Sequence, residues 1–173
     1  MNNKNITEWL INEDAKAFSS RLERLEFIIS LTTLCNFQQF YGGLITRESF
    51  EEAKWCYINA SYIACIALCQ ITIEHSLSSL FKAEGKDKIA KSNFYSLLKE
   101  AKKEELLTEE EFNFINELRK SRNRIAHPHD NIFDRVEFEA ITRNIHAYEI
   151  IEENARHAIT TCFNIYSRYP FSI

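Results

Sequence analysis

From Asp14 onward, apolar side chains at Phe18, Leu22, Leu25, Ile28, Ile29, Leu31 and Leu34 recur every three or four residues, the spacing of one helix face. A first helix should stop near Gly42-Gly43, a pair suited to a left-handed cap. Ser49 and Glu52 have the spacing of a capping box. The apolar run from Trp55 through Ile63, Ile66, Ile71, Leu77 and Phe81 then ends at Gly85. It predicts a central helix, or two helices broken near Asn59 to Ser61.

Phe94, Leu97, Leu98 and Ala101 mark a shorter helix beginning near Ser92. Thr108 and Glu111 form another capping-box pair, opening a helix through Phe112, Ile115, Leu118 and Ile125. It should end by His127, because Pro128 disfavours helical geometry in the residue before it. Asp134 and Glu137 repeat the box spacing ahead of a last helix to about Ser167. The expectation is an all-α, single-domain bundle of about five helices over residues 1–173, with a helical extension over 1–45.

Composition agrees with long helices. Three Gly and two Pro in 173 residues leave few of the residues that build tight turns. The five cysteines, Cys35, Cys56, Cys65, Cys69 and Cys162, lack C-x-x-C spacing and mostly sit in apolar stretches as small hydrophobes, which suits a reducing compartment. Met1 to Asn5 is polar and no uninterrupted apolar run follows, so neither a secretory signal nor a membrane span is expected, and the protein is read as cytoplasmic.

A net charge of −4 disfavours broad attraction to polyanions or anionic membrane, so any such site must be local. Glu100, Glu104, Glu105, Glu109, Glu110 and Glu111 cluster upstream, whereas Arg119, Lys120, Arg122 and Arg124 crowd the next helix end. These cations suit an RNA-backbone patch, or simply the negative end of a helix dipole, and both hold at once without conflict.

Arg122 falls on the stripe of Phe112, Ile115, Leu118 and Ile125, where an apolar residue is expected. An arginine so placed is costly unless it meets a carboxylate, a phosphate or an interface. Asn123 and His127 are four apart and share a face, while Arg122 and His127 diverge by about 140° on an ideal helix. The reach of Arg, the helix terminus at Pro128, or a second chain across a two-fold axis offers ways to unite them. One structural alternative pairs a buried Arg122 with a carboxylate such as Glu74 and leaves His127 capping carbonyls. Asn123 then simply bonds backbone near the helix end. His127 and His129 beside Asp130 lack further ligands at recognisable spacing, so no metal is assigned and no cofactor is expected. His75, His146 and His157 have no partner motif. Trp55, Tyr57 and Tyr62 form no spaced stacking platform distinguishable from core.

The segment Leu118-Arg119-Lys120-Ser121-Arg122-Asn123-Arg124-Ile125-Ala126-His127-Pro128 resembles the signature of HEPN domains (higher eukaryotes and prokaryotes nucleotide-binding). Ala60 to Phe81, with Leu68-Cys69-Gln70 and Glu74, then Leu97-Leu98-Lys99 and Leu106-Leu107-Thr108, resemble the family's central helix and its approach to the motif. Gln70 departs from the basic residue often found there. The resemblance covers about 55–150, and the first fifty residues add no signal to it.

The resemblance implies a metal-independent endoribonuclease working as a homodimer, of the toxin or antiphage-defence kind. Arg122 would bind the scissile phosphate, His127 would move a proton at the ribose oxygens, and Asn123 would orient one of them. RNA would be the substrate, with Arg119, Lys120 and Arg124 along its backbone. The rival reading is a non-catalytic helical module that dimerises or binds a partner, such as a nucleotidyltransferase-like antitoxin or another regulatory protein. A nucleotide-binding accessory subunit is a third.

Overall fold

Helices account for every regular element in the computed structural model, which describes residues 3–33, 42–126 and 135–168, with side chains for 5–32, 42–120 and 136–168. In chain order they are α1 (Asn3–Thr33), α2 (Gly43–Ile58), α3 (Tyr62–Ala83), α4 (Asp87–Ala90), α5 (Phe94–Lys103), α6 (Glu109–Ala126), α7 (Arg135–Arg143) and α8 (Ala147–Arg168). The all-α expectation holds, with eight helices among the described residues where about five were expected.

The extra elements come from backbone reversals that apolar periodicity does not register. Ala60, Gly85, Glu105 and Asn144 take positive φ, at 60°, 75°, 60° and 53°. At each, the next amide reaches back five residues: Ser61 to Cys56 (2.8 Å), Lys86 to Phe81 (2.8 Å), Leu106 to Ala101 (2.8 Å) and Ile145 to Ala140 (3.0 Å). This bond satisfies a carbonyl that the helix end would otherwise strand. Left-handed backbone costs a residue with a Cβ roughly 1–2 kcal/mol, so Ala60 and Glu105 hold it against local preference, whereas Asn144 is a residue type that tolerates it.

The break at Asn59–Ser61 decides between the two alternatives the sequence left open, in favour of two helices. The expected last helix, by contrast, is two. Asn144 ends α7, and His146 starts α8: its Nδ1 accepts from the Tyr148 amide (3.1 Å), while Glu149 Oε1 accepts from the His146 amide (3.1 Å). Asp134 lies outside the described residues.

Ser49 and Glu52 do not open a helix. Ser49 is buried inside α2, on a stripe with Thr46, Phe50, Ala53 and Tyr57. The start lies at the glycine pair instead, expected to cap the preceding helix. Gly42 has φ 109°, and a Cβ there would stand 2.0 Å from Thr46 Oγ1. Only glycine meets both demands.

α3 is the centre of the bundle: α2, α4, α5, α6 and α8 all pack against it. By length and composition it could cross a bilayer. Here its Cys65, Cys69, Ile73, Leu77 and Phe81 are buried in the protein core with Phe50, Leu97, Leu98, Ile115, Ile159 and Phe163. Each such aliphatic or aromatic side chain withdrawn from water stabilises the fold by about 1.5–3 kcal/mol. Phe50 meets Phe163 edge-on at 5.0 Å, and the Ser76 and Tyr166 hydroxyls share a buried hydrogen bond of 2.6 Å. Cys65, Cys69 and Cys162 are buried thiols, Cys162 lying 3.7 Å from the Cys69 carbonyl. Core packing was the sequence expectation for Cys65 and Cys69.

α1 departs most from its pattern. Ile28 is buried and Phe27 and Leu31 pack on the core, but Phe18, Leu22, Leu25 and Ile29 are exposed. Among the described residues, the helix is anchored towards its C-terminal end. There Arg24 donates to the Ile58 carbonyl (2.9 Å), and Phe27 lies 5.6 Å from the Tyr57 ring and 4.1 Å from the Arg156 guanidinium.

Candidate active site

The motif helix is set from its N-terminus. Thr108 and Glu111 close the expected box in both directions: the Glu111 amide donates to Thr108 Oγ1 (3.2 Å), and the Thr108 amide donates to Glu111 Oε2 (2.9 Å). Glu109, Glu110 and Glu111 occupy the first turn, where the positive end of the helix dipole favours carboxylates. Ile115 and Leu118 are buried on the face towards α3, and α6 continues as helix to Ala126.

That continuity places Arg122, Asn123 and Arg124 within the final turns of α6, with Arg122 in register with Ile115 and Leu118 at seven and four residues. Arg122 and Asn123 therefore arrive together at the end of a helix whose other end is pinned. His127 lies outside the described residues, as do His129 and Asp130. The alternative pairing of Arg122 with Glu74 concerns a side chain outside them. Glu74 itself is half-buried at a cavity of about 210 Å³ shared with His75, Ser78 and Lys91.

Arg119 and Lys120 are described in full, and both are engaged locally. Arg119 donates from Nε and Nη2 to Asn116 Oδ1 (3.1 and 3.0 Å), with its guanidinium 5.1 Å from the Tyr95 ring on α5. Lys120 Nζ sits 2.6 Å from Glu117 Oε1. These are exposed or half-exposed contacts, worth under about 1 kcal/mol apiece, so a phosphate could displace them at small cost. They also show what these two cations do without one: each pairs with a side chain one turn back along α6.

Two features escaped the sequence reading. The first is that Gln70 on α3, marked in the sequence only as a departure from a basic residue, is 1% exposed, with no hydrogen-bond partner for its amide nitrogen or oxygen among the described residues. The second is a polar cavity of about 470 Å³ between the start of α6 and α8, bordered by Thr108, Glu111, His157, Thr161, Asn164 and Arg168. Arg168 pairs with Glu111 there, and His157 stacks on Phe114 with ring centroids 3.6 Å apart. Burial holds the His157 imidazole below its ordinary value of 6.5, opposed by Glu110 and Glu111. The polar stripe at 157, 161, 164 and 168 is readable at helical spacing, but nothing in it announces which helix will face it. Glu111 and Arg122 stand about 17 Å apart along the helix axis, so this cavity is separate from the motif.

An all-helical bundle whose sixth helix ends in Arg-Asn-Arg-Ile-Ala just ahead of His-Pro defines the class. The chain matches the HEPN domain over residues 45–168, more than half of its length, and belongs to the HEPN domain family. The match runs from α2 to α8, wider at both ends than the stretch of 55–150, and α1 precedes it. No curated protein and no solved structure matches the chain.

Proposed function

We propose that this protein is a metal-independent endoribonuclease of the HEPN type, a cytoplasmic effector of the toxin or antiphage-defence kind. It acts as a homodimer in which Arg122, Asn123 and His127 of the two chains form a composite site. The observation that carries the reading is the unbroken run of α6 to Ala126, inside the matched region. It delivers Arg122 and Asn123 to a helix end immediately ahead of His127-Pro128.

The chemistry asks for those residue types. An arginine fork matches two phosphate oxygens and neutralises charge as it builds in the transition state. Imidazole, with an unperturbed pKa of about 6.5, is suited to take a proton from the 2′-hydroxyl or give one to the departing 5′-oxygen near neutral pH. Attack of the 2′-oxygen on phosphorus with loss of the 5′-oxygen leaves a 2′,3′-cyclic phosphate and a 5′-hydroxyl. RNA supplies the nucleophile, so the protein need only bind, orient and move protons. Arg119, Lys120 and Arg124 would hold the flanking backbone.

The expected result is cleavage of an RNA pool in excess chelator, abolished by Arg122→Ala and by His127→Ala with the circular dichroism spectrum retained. Growth arrest on expression, relieved by His127→Ala, is the matching observation in cells. The second reading, a non-catalytic module binding a partner such as a nucleotidyltransferase-like antitoxin, is favoured by the apolar stripe exposed on α1. It takes over if purified protein cuts no RNA and expression is harmless.

A further inference from the structure

α1 carries two apolar stripes, and among the described residues one packs on the bundle while the other is exposed. Arg24, Phe27, Ile28 and Leu31 face the body of the protein. About two-fifths of a turn away run Ile11, Ala15, Phe18, Leu22, Leu25 and Ile29, spaced four, three, four, three and four apart. That alternation is the 3.5-residue repeat of a coiled-coil seam, in which Ala15, Leu22 and Ile29 take the first core position of each heptad and Ile11, Phe18 and Leu25 the second. All six are exposed, Ile11 by 61% and Phe18 by 65%. The seam is about 27 Å long, a continuous apolar strip rather than scattered surface residues.

We propose that this seam binds the same seam of a second copy of the chain, as a parallel two-stranded coiled coil. The period points to a helix as the occupant, because a strict seven-residue repeat stays in contact only with another helix coiling around it. The flanking charges point to this chain and to the parallel direction. Arg21 precedes Leu22, and Glu26 follows Leu25. In a parallel in-register pair a residue before the first core position faces, five residues on, one after the second. Arg21 of each copy thus meets the partner's Glu26, twice by symmetry.

An antiparallel pair with its ends flush would instead set Arg21 against the partner's Arg21. Arg21 lies 3.5 Å from Asp14 of its own chain, a loose exposed pair that leaves donors for a second carboxylate. The seam lies wholly within α1, ahead of the residues that match the family, so it stands whether or not the motif is catalytic.

The test is the mass of the full chain in solution, by sedimentation and light scattering over a range of concentration. Phe18→Glu with Leu22→Glu should halve the number of copies per particle while the near-ultraviolet circular dichroism of the folded bundle is retained, and the melting temperature should lose its dependence on concentration. Arg21→Glu alone should weaken assembly roughly fivefold, the effect of losing two exposed ion pairs, and adding Glu26→Arg should restore it. An unchanged mass in the Phe18/Leu22 variant, or a wild-type chain that sediments as a monomer, overturns the proposal. Tighter assembly of Arg21→Glu alone overturns the parallel arrangement. An unchanged mass in the Phe18/Leu22 variant leaves the nuclease reading standing, whereas a monomeric parent chain removes the composite homodimer site as well, and RNA cleavage in excess chelator, read separately, tells the two failures apart.

Discussion

Gln70 sits where an amide is least at ease, in the middle of the central helix with carbonyl and amino group both stripped of water and unbonded. A buried polar group left unpaired costs about 1–3 kcal/mol, whereas an apolar residue of similar shape carries no such penalty. Gln70→Met should therefore raise the free energy of unfolding by about 1 kcal/mol, read from the midpoint of urea denaturation. A variant less stable than the parent would mean that the amide is held by a bond after all. The position was conspicuous in the sequence only as a departure from the basic residue of related chains. That its surroundings leave it unsatisfied follows from which helices close over α3, and no local pattern encodes that.

At the scale of the element, helix ends divide into those that residue type announces and those imposed from outside. Thr108 with Glu111 is of the first kind, since a hydroxyl and a carboxylate three apart satisfy each other's backbone amides wherever the helix lies. Thr108→Ala should cost about 1 kcal/mol of stability. If α6 also positions the motif, it should lower RNA cleavage through looser placement of Arg122 and Asn123, as measured by kcat at saturating RNA. Ala60 and Glu105 are of the second kind: neither favours left-handed backbone, and the packing of α2 against α3 and of α5 against α6 holds them there. Ser49 illustrates the converse, a box spacing with no helix start to cap, because the glycine pair begins α2 nearly two turns earlier.

For the molecule as a whole, the question is how many chains make one site. If Arg122 of one chain works with His127 of the other, an Arg122→Ala chain mixed with a His127→Ala chain rebuilds one intact pair in each mixed dimer. Equal amounts, unfolded and refolded together, should then recover about a quarter of the parent activity, since half the dimers are mixed and each has one of two sites. No recovery would place each site within a single chain. The proposed seam on α1 bears on the same question from another surface, because it would tether copies through a helix outside the residues that match the family.

The sequence by itself determined the elements whose signals are local. These are the all-helical class, the box that opens α6, the buried face of Phe94, Leu97, Leu98 and Ala101, and the motif that names the family. Each depends on neighbours within a turn or two, where spacing and residue type suffice. Tertiary structure alone decided which apolar stripe of α1 meets the core, which ordinary residues bend left-handed, which cations at the end of α6 are paired, and that Gln70 goes unbonded. Burial is a property of what lies opposite, and two apolar stripes on one helix are told apart by the partner that arrives.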